Sequence, residues 1–241
     1  MGRVAAIAFS LLAVLPLHYL WKLFGRRSPW PQRFLAFAAR RCGLRVKLAG
    51  APVAGGVLLA ANHESWLDIF AVGGATGAAF VAKDEVRQWR GFGWLAGLND
   101  TLYVVRAARH QAREQADQIR DALGAGRAVA LFPEGTIDAT RGVLPFRASL
   151  FASLYPPIKG VVVQPVALDY GAATADIAWL DEESTAANAR RILSRPGTIP
   201  VTLTFLAPLD PGAAGDRKAL AAAAREEIVA ALASAAPAQP L

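Results

Sequence analysis

The stretch VLLAANHESWLD (57–68) decides how the rest of the chain is read. Its first five residues are apolar and contiguous, which suits a fully buried strand of ordinary length. Asn62 and His63 end the run, and a helix is expected to begin across 66–72. Ser65 is placed to cap that helix, with Asp68 three residues later in a capping-box-like spacing. A buried strand that turns directly into a helix opens an α/β unit. His63 then lies just past the carboxyl end of a strand, where open α/β sheets form their ligand crevice.

The alternation continues outward. Further strands are expected at 79–82, 101–105, 128–132, 161–168 and 199–205. Between them fall a weak helical stretch at 86–98 and a surface helix at 109–123. Ala112, Ala116, Ile119 and Leu123 share one face of that helix, and Gly124 and Gly126 end it. A further helix is expected at 146–155, stopped by Pro156-Pro157, and a closing helix at 217–232. Pro165 marks its strand as an edge or a bulge. The Ala/Pro tail from Ala233 is expected to be disordered. The fold class is α/β: a mostly parallel central sheet flanked by helices.

Charge is divided unevenly. The net charge is +7, yet the first 63 residues hold nine Lys or Arg and no Asp or Glu. The remainder holds 17 basic and 19 acidic residues and is close to neutral. The apolar run 4–21 precedes most of the basic residues. As a helix, its 18 residues span roughly 27 Å, marginal for a bilayer core of about 30 Å. No small-x-small cleavage site follows, so a retained membrane-associated helical segment is expected rather than a signal peptide. Trp21, Trp30, Phe34 and Phe37 interleave the basic residues up to Lys47, as in an interfacial segment facing anionic lipid on the cytoplasmic side. This divides the chain into an anchor and basic amphipathic segment (1–47), a catalytic domain (48–233) and a tail (234–241). The basic run carries no nucleic-acid motif, so no nucleic-acid partner is expected. Oligomeric state is not legible.

One cysteine, Cys42, excludes a disulfide scaffold, and it is read as inert and outside the domain core. Three histidines leave little room for a metal site, and none is expected. There is no G-x-G-x-x-G after a strand and no G-x-S-x-G elbow. The chemistry therefore rests on three strand ends. His63 is the natural base for a hydroxyl, and Asp68 can fix its tautomer. LFPEGT (131–136) places Glu134 and Gly135 at a second strand end, and Arg106 stands at a third.

Together these blocks resemble the glycerolipid acyltransferase family. NHESWLD is similar to its N-H-x-x-x-x-D block and FPEGT to its third block; the two are highly specific in combination. VQPVAL (163–168) is similar to its valine- and proline-rich fourth block. The resemblance implies that His63 deprotonates a lysolipid hydroxyl while Asp68 orients the ring. The hydroxyl attacks an acyl thioester, acyl-CoA or acyl-acyl-carrier-protein, which is a co-substrate; no cofactor is implied. It implies acceptor contacts from Asn62, Ser65, Glu134, Gly135 and Thr136, with Arg106 on a phosphate. The best-known acceptor is 1-acyl-sn-glycerol-3-phosphate, giving phosphatidic acid. Three departures weaken that choice: Asp100 and Val105 in the second block, and Ile137 where Arg is usual after FPEGT. Arg141 or Arg147 is the available replacement. VLPFRASLF (143–151) is similar to the branch that acylates lyso-ornithine lipids, the alternative acceptor. A non-catalytic lipid-binding relative is the competing class, against which the intact His63, Asp68, Glu134 and Gly135 argue.

Overall fold

The computed structural model describes residues 2–88, 92–104, 109–137, 142–180 and 183–235. Seven strands form one sheet: β1 (Leu44–Ala49), β2 (Val57–Ala61), β3 (Ala79–Lys83), β4 (Leu102–Val104), β5 (Ala128–Leu131), β6 (Val162–Asp169) and β7 (Ile199–Phe205). Their order is β1-β7-β6-β2-β5-β3-β4. Among the described residues only the β6–β7 strand pair is antiparallel, so the sheet is mostly parallel as expected. Central β2 has every residue buried, which is why it reads as an unbroken apolar run.

The helices are α1 (Gly2–Leu23), α2 (Trp30–Cys42), α3 (Leu67–Thr76), α4 (Asp84–Gln88), α5 (Phe92–Leu98), α6 (Arg109–Gly124), α7 (Thr174–Ile177), α8 (Thr185–Ser194) and α9 (Arg217–Ala235). One apolar layer joins the sheet to α2, α3 and α8; the other joins it to α6 and α9. Ile119 and Leu123 of α6 face the second layer, as their spacing predicts. The helix expected at 146–155 is a 3-10 helix, Ala148–Leu154. The closing helix runs on to Ala235, past the expected start of the tail, and 236–241 lie outside the described residues.

Three expectations change. Strand β1 begins within the expected basic interfacial segment, so the boundary at 47/48 falls inside a strand. Its Arg45 and Lys47 are exposed on the outermost strand, where charge discourages edge-to-edge pairing. Cys42 is not outside the core: it is buried with Phe34, Leu35 and Leu44, and burial pushes its thiol up to about 11. Pro165 is not on an edge, because β6 lies between β7 and β2. Nor is β6 itself bulged: Val163 faces Leu209 and Val166 faces Phe205, so two residues of β6 oppose three in the partner, and the extra residue lies opposite Pro165. Pro165 has no N–H to leave stranded there; its carbonyl accepts from the Leu206 N–H at 3.0 Å.

Helix α1 lies against α2, with Ile7, Leu11 and Val14 packed on the core. Arg3 donates to the carbonyls of Cys42, Leu193 and Gly197 at one end, and Lys22 pairs with Asp100 at the other. Phe9, Leu12, Leu20, Leu23 and Phe24 remain exposed.

Candidate active site

Strand β2 delivers Asn62 and His63 to the carboxyl edge of the sheet, and α3 begins four residues later. Asn62 extends the β2–β6 ladder with its side chain. Its Nδ2 donates to the Leu168 carbonyl at 2.9 Å, and its Oδ1 accepts from the Leu168 N–H at 2.8 Å. Both ends of the amide are thereby tied to the scaffold.

His63 Nδ1 lies 2.8 Å from Asp68 Oδ2. Asp68 is fully buried, and the same Oδ2 accepts from the backbone N–H groups of Glu64 and Ser65 at 2.8 and 2.9 Å. These bonds hold Asp68 as an acceptor, so Nδ1 carries the proton and Nε2 is left with its lone pair. The anticipated capping box forms only in its back-reaching half, the bond from the Ser65 N–H. The N-cap position falls at Trp66, which makes no side-chain cap, the Asp68 N–H donates to the Ser65 carbonyl, and Ser65 Oγ accepts from the Leu67 N–H at 3.3 Å. The imidazole stacks on Phe132 with centroids 4.0 Å apart and planes 14° apart. That contact fixes ring tilt as the carboxylate fixes its tautomer.

Glu134 leaves β5 and joins two loops. Its Oε1 accepts from the His63 N–H at 2.8 Å, and its Oε2 accepts from the Leu144 N–H at 2.9 Å. It is 3% exposed, and burial raises its carboxyl while these two bonds pull it back down. Gly135 has φ near 70°, the left-handed conformation that a turn so close to the site requires. Thr136 and Arg147 lie at the exposed side of the loop, and the Arg147 N–H donates to the Pro133 carbonyl. Arg106 and Arg141 lie outside the described residues. The structure therefore brings together Asn62, His63, Ser65, Asp68, Glu134 and Gly135.

Three neighbours were not anticipated. The Tyr170 hydroxyl donates to Asp68 Oδ1 at 2.5 Å from just beyond β6. Glu64 accepts from Asn62 Nδ2 and from the Thr174 hydroxyl; burial first, then Asp68, raises its carboxyl to about 7. Arg225, from α9, donates to the carbonyls of Val143 and Leu144, beside the Leu144 N–H that Glu134 holds. The strand-end rule that found His63 also points to Tyr170; no local signal marks Arg225.

A histidine whose Nδ1 is held by a buried carboxylate and whose Nε2 has no hydrogen-bond partner among the described residues suits direct proton removal from an acceptor hydroxyl. Residues 44–169 match the family model described as Acyltransferase. The chain is 35% identical over 249 residues to the lyso-ornithine lipid O-acyltransferase of Brucella abortus, covering 96% of this chain and 93% of that protein. The chain belongs to the acyltransferase family. A second relative, the lyso-ornithine lipid O-acyltransferase of Rhodobacter capsulatus, is 34% identical over 92% of this chain and 87% of its own length. The 1-acyl-sn-glycerol-3-phosphate acyltransferase of Neisseria gonorrhoeae is 33% identical over 77% of this chain and 72% of its own. The fold is shared with the 1-acyl-sn-glycerophosphate acyltransferase of Thermotoga maritima, at a TM-score of 0.64 and 24% identity over 87% of this chain and 80% of that one. This acyltransferase is thus an enzyme of the lysolipid type within the glycerolipid acyltransferase superfamily.

Proposed function

We propose that the enzyme moves a fatty acyl group from acyl-CoA or acyl-acyl-carrier-protein to the hydroxyl of a lysolipid, with His63 as general base. The observation that carries this is the 2.8 Å His63–Asp68 bond, which leaves Nε2 available at the strand edge. Nε2 takes the hydroxyl proton as the oxygen attacks the thioester carbonyl. The tetrahedral intermediate collapses, the C–S bond breaks, and the imidazolium returns its proton to the departing thiolate. Asp68 offsets the imidazolium charge. Glu134 is given a positioning role: both its oxygens are spent on backbone N–H groups that set the His63 loop.

Lyso-ornithine lipid is the acceptor favoured here over lysophosphatidate. The Brucella and Rhodobacter relatives, which align over 96% and 92% of the chain, carry that name. Ile137 removes a cation after FPEGT, and the site is acidic, with Asp68, Asp169 and Glu134 all acting on Glu64. Such surroundings suit an ammonium better than a phosphate dianion. Lysophosphatidate stands second, supported by the Neisseria relative.

The basic front end supports a location on the cytoplasmic face of the inner or plasma membrane. Helix α1 is 22 residues long, with length and composition sufficient to cross a bilayer. Its ties to the body at both Arg3 and Lys22 support a helix lying along the surface, with its exposed apolar face in one leaflet.

The test is transfer of labelled acyl groups from each donor to both lysolipids, by wild type and His63→Ala. Transfer to lyso-ornithine lipid that vanishes in the variant is expected. Equal transfer by both proteins rules out the general base. Preference for lysophosphatidate reverses the choice of acceptor.

A further inference from the structure

A cavity of about 770 Å³ lies at the opposite edge of the sheet from His63, lined by the segments that enter β2, β3 and β5. Lys22, Arg26, Arg27 and Arg127 line it, against the single carboxylate of Asp100. Asp100 lies 3.6 Å from Lys22 and 3.5 Å from Arg127, leaving Arg26 and Arg27 as surplus charge around the opening. The amino end of the 13-residue α2 also borders it, and its capping residue, Pro29, makes no side-chain cap. That end carries the positive pole of the helix dipole.

The second observation is independent of this charge. His18 lines the same cavity, is 2% exposed, and has no hydrogen-bond partner on either ring nitrogen. Arg127 Nε is likewise buried and unpartnered. Buried donors left unpaired cost free energy that a bound acceptor recovers. Beside the cavity, the end of α1 leaves Leu20, Leu23 and Phe24 exposed at 52%, 81% and 72%. An anionic group seated among His18, Arg127 and the basic rim has an apolar surface next to it for acyl chains.

We propose that this cavity binds the phosphate headgroup of an anionic membrane phospholipid, remote from the catalytic edge. The site uses none of the residues of the acyl-transfer reading, and its readout is binding rather than turnover.

The experiment follows thermal unfolding of the full chain in a neutral detergent, titrated with phosphatidylglycerol, phosphatidylcholine or inorganic phosphate. A ligand that binds only the folded state raises the melting temperature. Phosphatidylglycerol is expected to raise it, and the other two are not at matched concentration. Arg26→Gln/Arg27→Gln should raise the concentration needed by about tenfold or more. Arg40→Gln/Arg41→Gln removes the same charge at the other end of α2 and should change it by less than about twofold. His18→Leu should melt no lower than wild type without lipid, since it deletes an unpaired buried ring, yet lose the phosphatidylglycerol shift. Equal weakening in both arginine doubles overturns the site in favour of diffuse surface charge. An equal shift with phosphatidylcholine overturns recognition of the anion, and a full shift with phosphate alone overturns the lipid. A His18→Leu protein that is less stable but keeps the shift also overturns the site.

Discussion

Tyr170 and Asp68 lie 102 positions apart in the chain and are joined by a 2.5 Å hydrogen bond in the buried interior. Asp68 spends its other oxygen on His63 and two backbone N–H groups, so Tyr170 completes the shell of the carboxylate that holds the His63 ring. Burial and the adjacent Asp68 raise the Tyr170 hydroxyl well above its ordinary range, which keeps it protonated as a donor. Tyr170→Phe removes the hydroxyl and little else. It should lower kcat by about tenfold with KM little changed, and cost about 2 kcal/mol in unfolding free energy. Steady-state kinetics beside denaturant melts check both; unchanged kcat ends the positioning role.

Asp68→Asn keeps the volume but places an amide where three N–H donors converge on one oxygen. The ring is then free to adopt the wrong tautomer. Activity should fall by about 10²–10⁴-fold while the protein stays folded, as read by acyl transfer and circular dichroism. A loss below about threefold would show that orientation of His63 comes from the Phe132 stack instead.

Arg225 on α9 reaches the loop that Glu134 holds, 2.7 Å from the Val143 carbonyl and 3.0 Å from that of Leu144. Arg225→Gln should reduce kcat several-fold, on the order of 1 kcal/mol, by loosening the Leu144 N–H under Glu134. Arg225→Lys should recover part of the loss. If kcat is unchanged, the brace serves stability alone.

Glu64 carries a pH prediction. Its carboxyl rises from the ordinary 4.5 to about 7 in the folded protein, chiefly through burial. Between those values the unfolded chain is ionised while the folded one remains protonated, so stability falls as pH rises and levels off above about 7. The full effect is at most roughly 3 kcal/mol. Glu64→Gln should flatten the melting temperature between about pH 5 and 8 and make the variant the more stable protein at the upper end. Parallel melting curves for the two proteins would contradict this.

Phe9 and Leu20 are exposed on α1, at 75% and 52%. Phe9→Glu/Leu20→Glu should abolish vesicle co-flotation with little change in melting temperature, because neither side chain is buried in the core. This pair is a better probe than truncation through Lys47, which would cut into β1. Retained flotation would remove α1 as the membrane contact.

Much of the fold was legible in local pattern. The unbroken apolar run of β2 and the 3.6-residue face of α6 are properties of neighbouring residues, as is the NHESWLD turn that presents His63. These read directly because burial on both faces, or on one stripe, leaves its signature in the residues themselves. Strand β1 was not legible. Only Leu44 of its six residues is fully buried, and its membership in the sheet rests on pairing with β7, Leu44 opposite Ile199. Cys42 entered the core for the same reason, since α2 packs on α3 beneath the strand that follows it.

The site divides along the same line. Sequence alone determined the His63–Asp68 pairing, because the two residues share one turn and their spacing sets their reach. Tertiary structure decided what holds them. The Asn62–Leu168 bridge, the Tyr170–Asp68 bond and the clamp of Glu134 on His63 and Leu144 each join segments that meet only when parallel strands align at one edge. Those partners are set by sheet order and register, which long-range packing fixes and local periodicity does not encode.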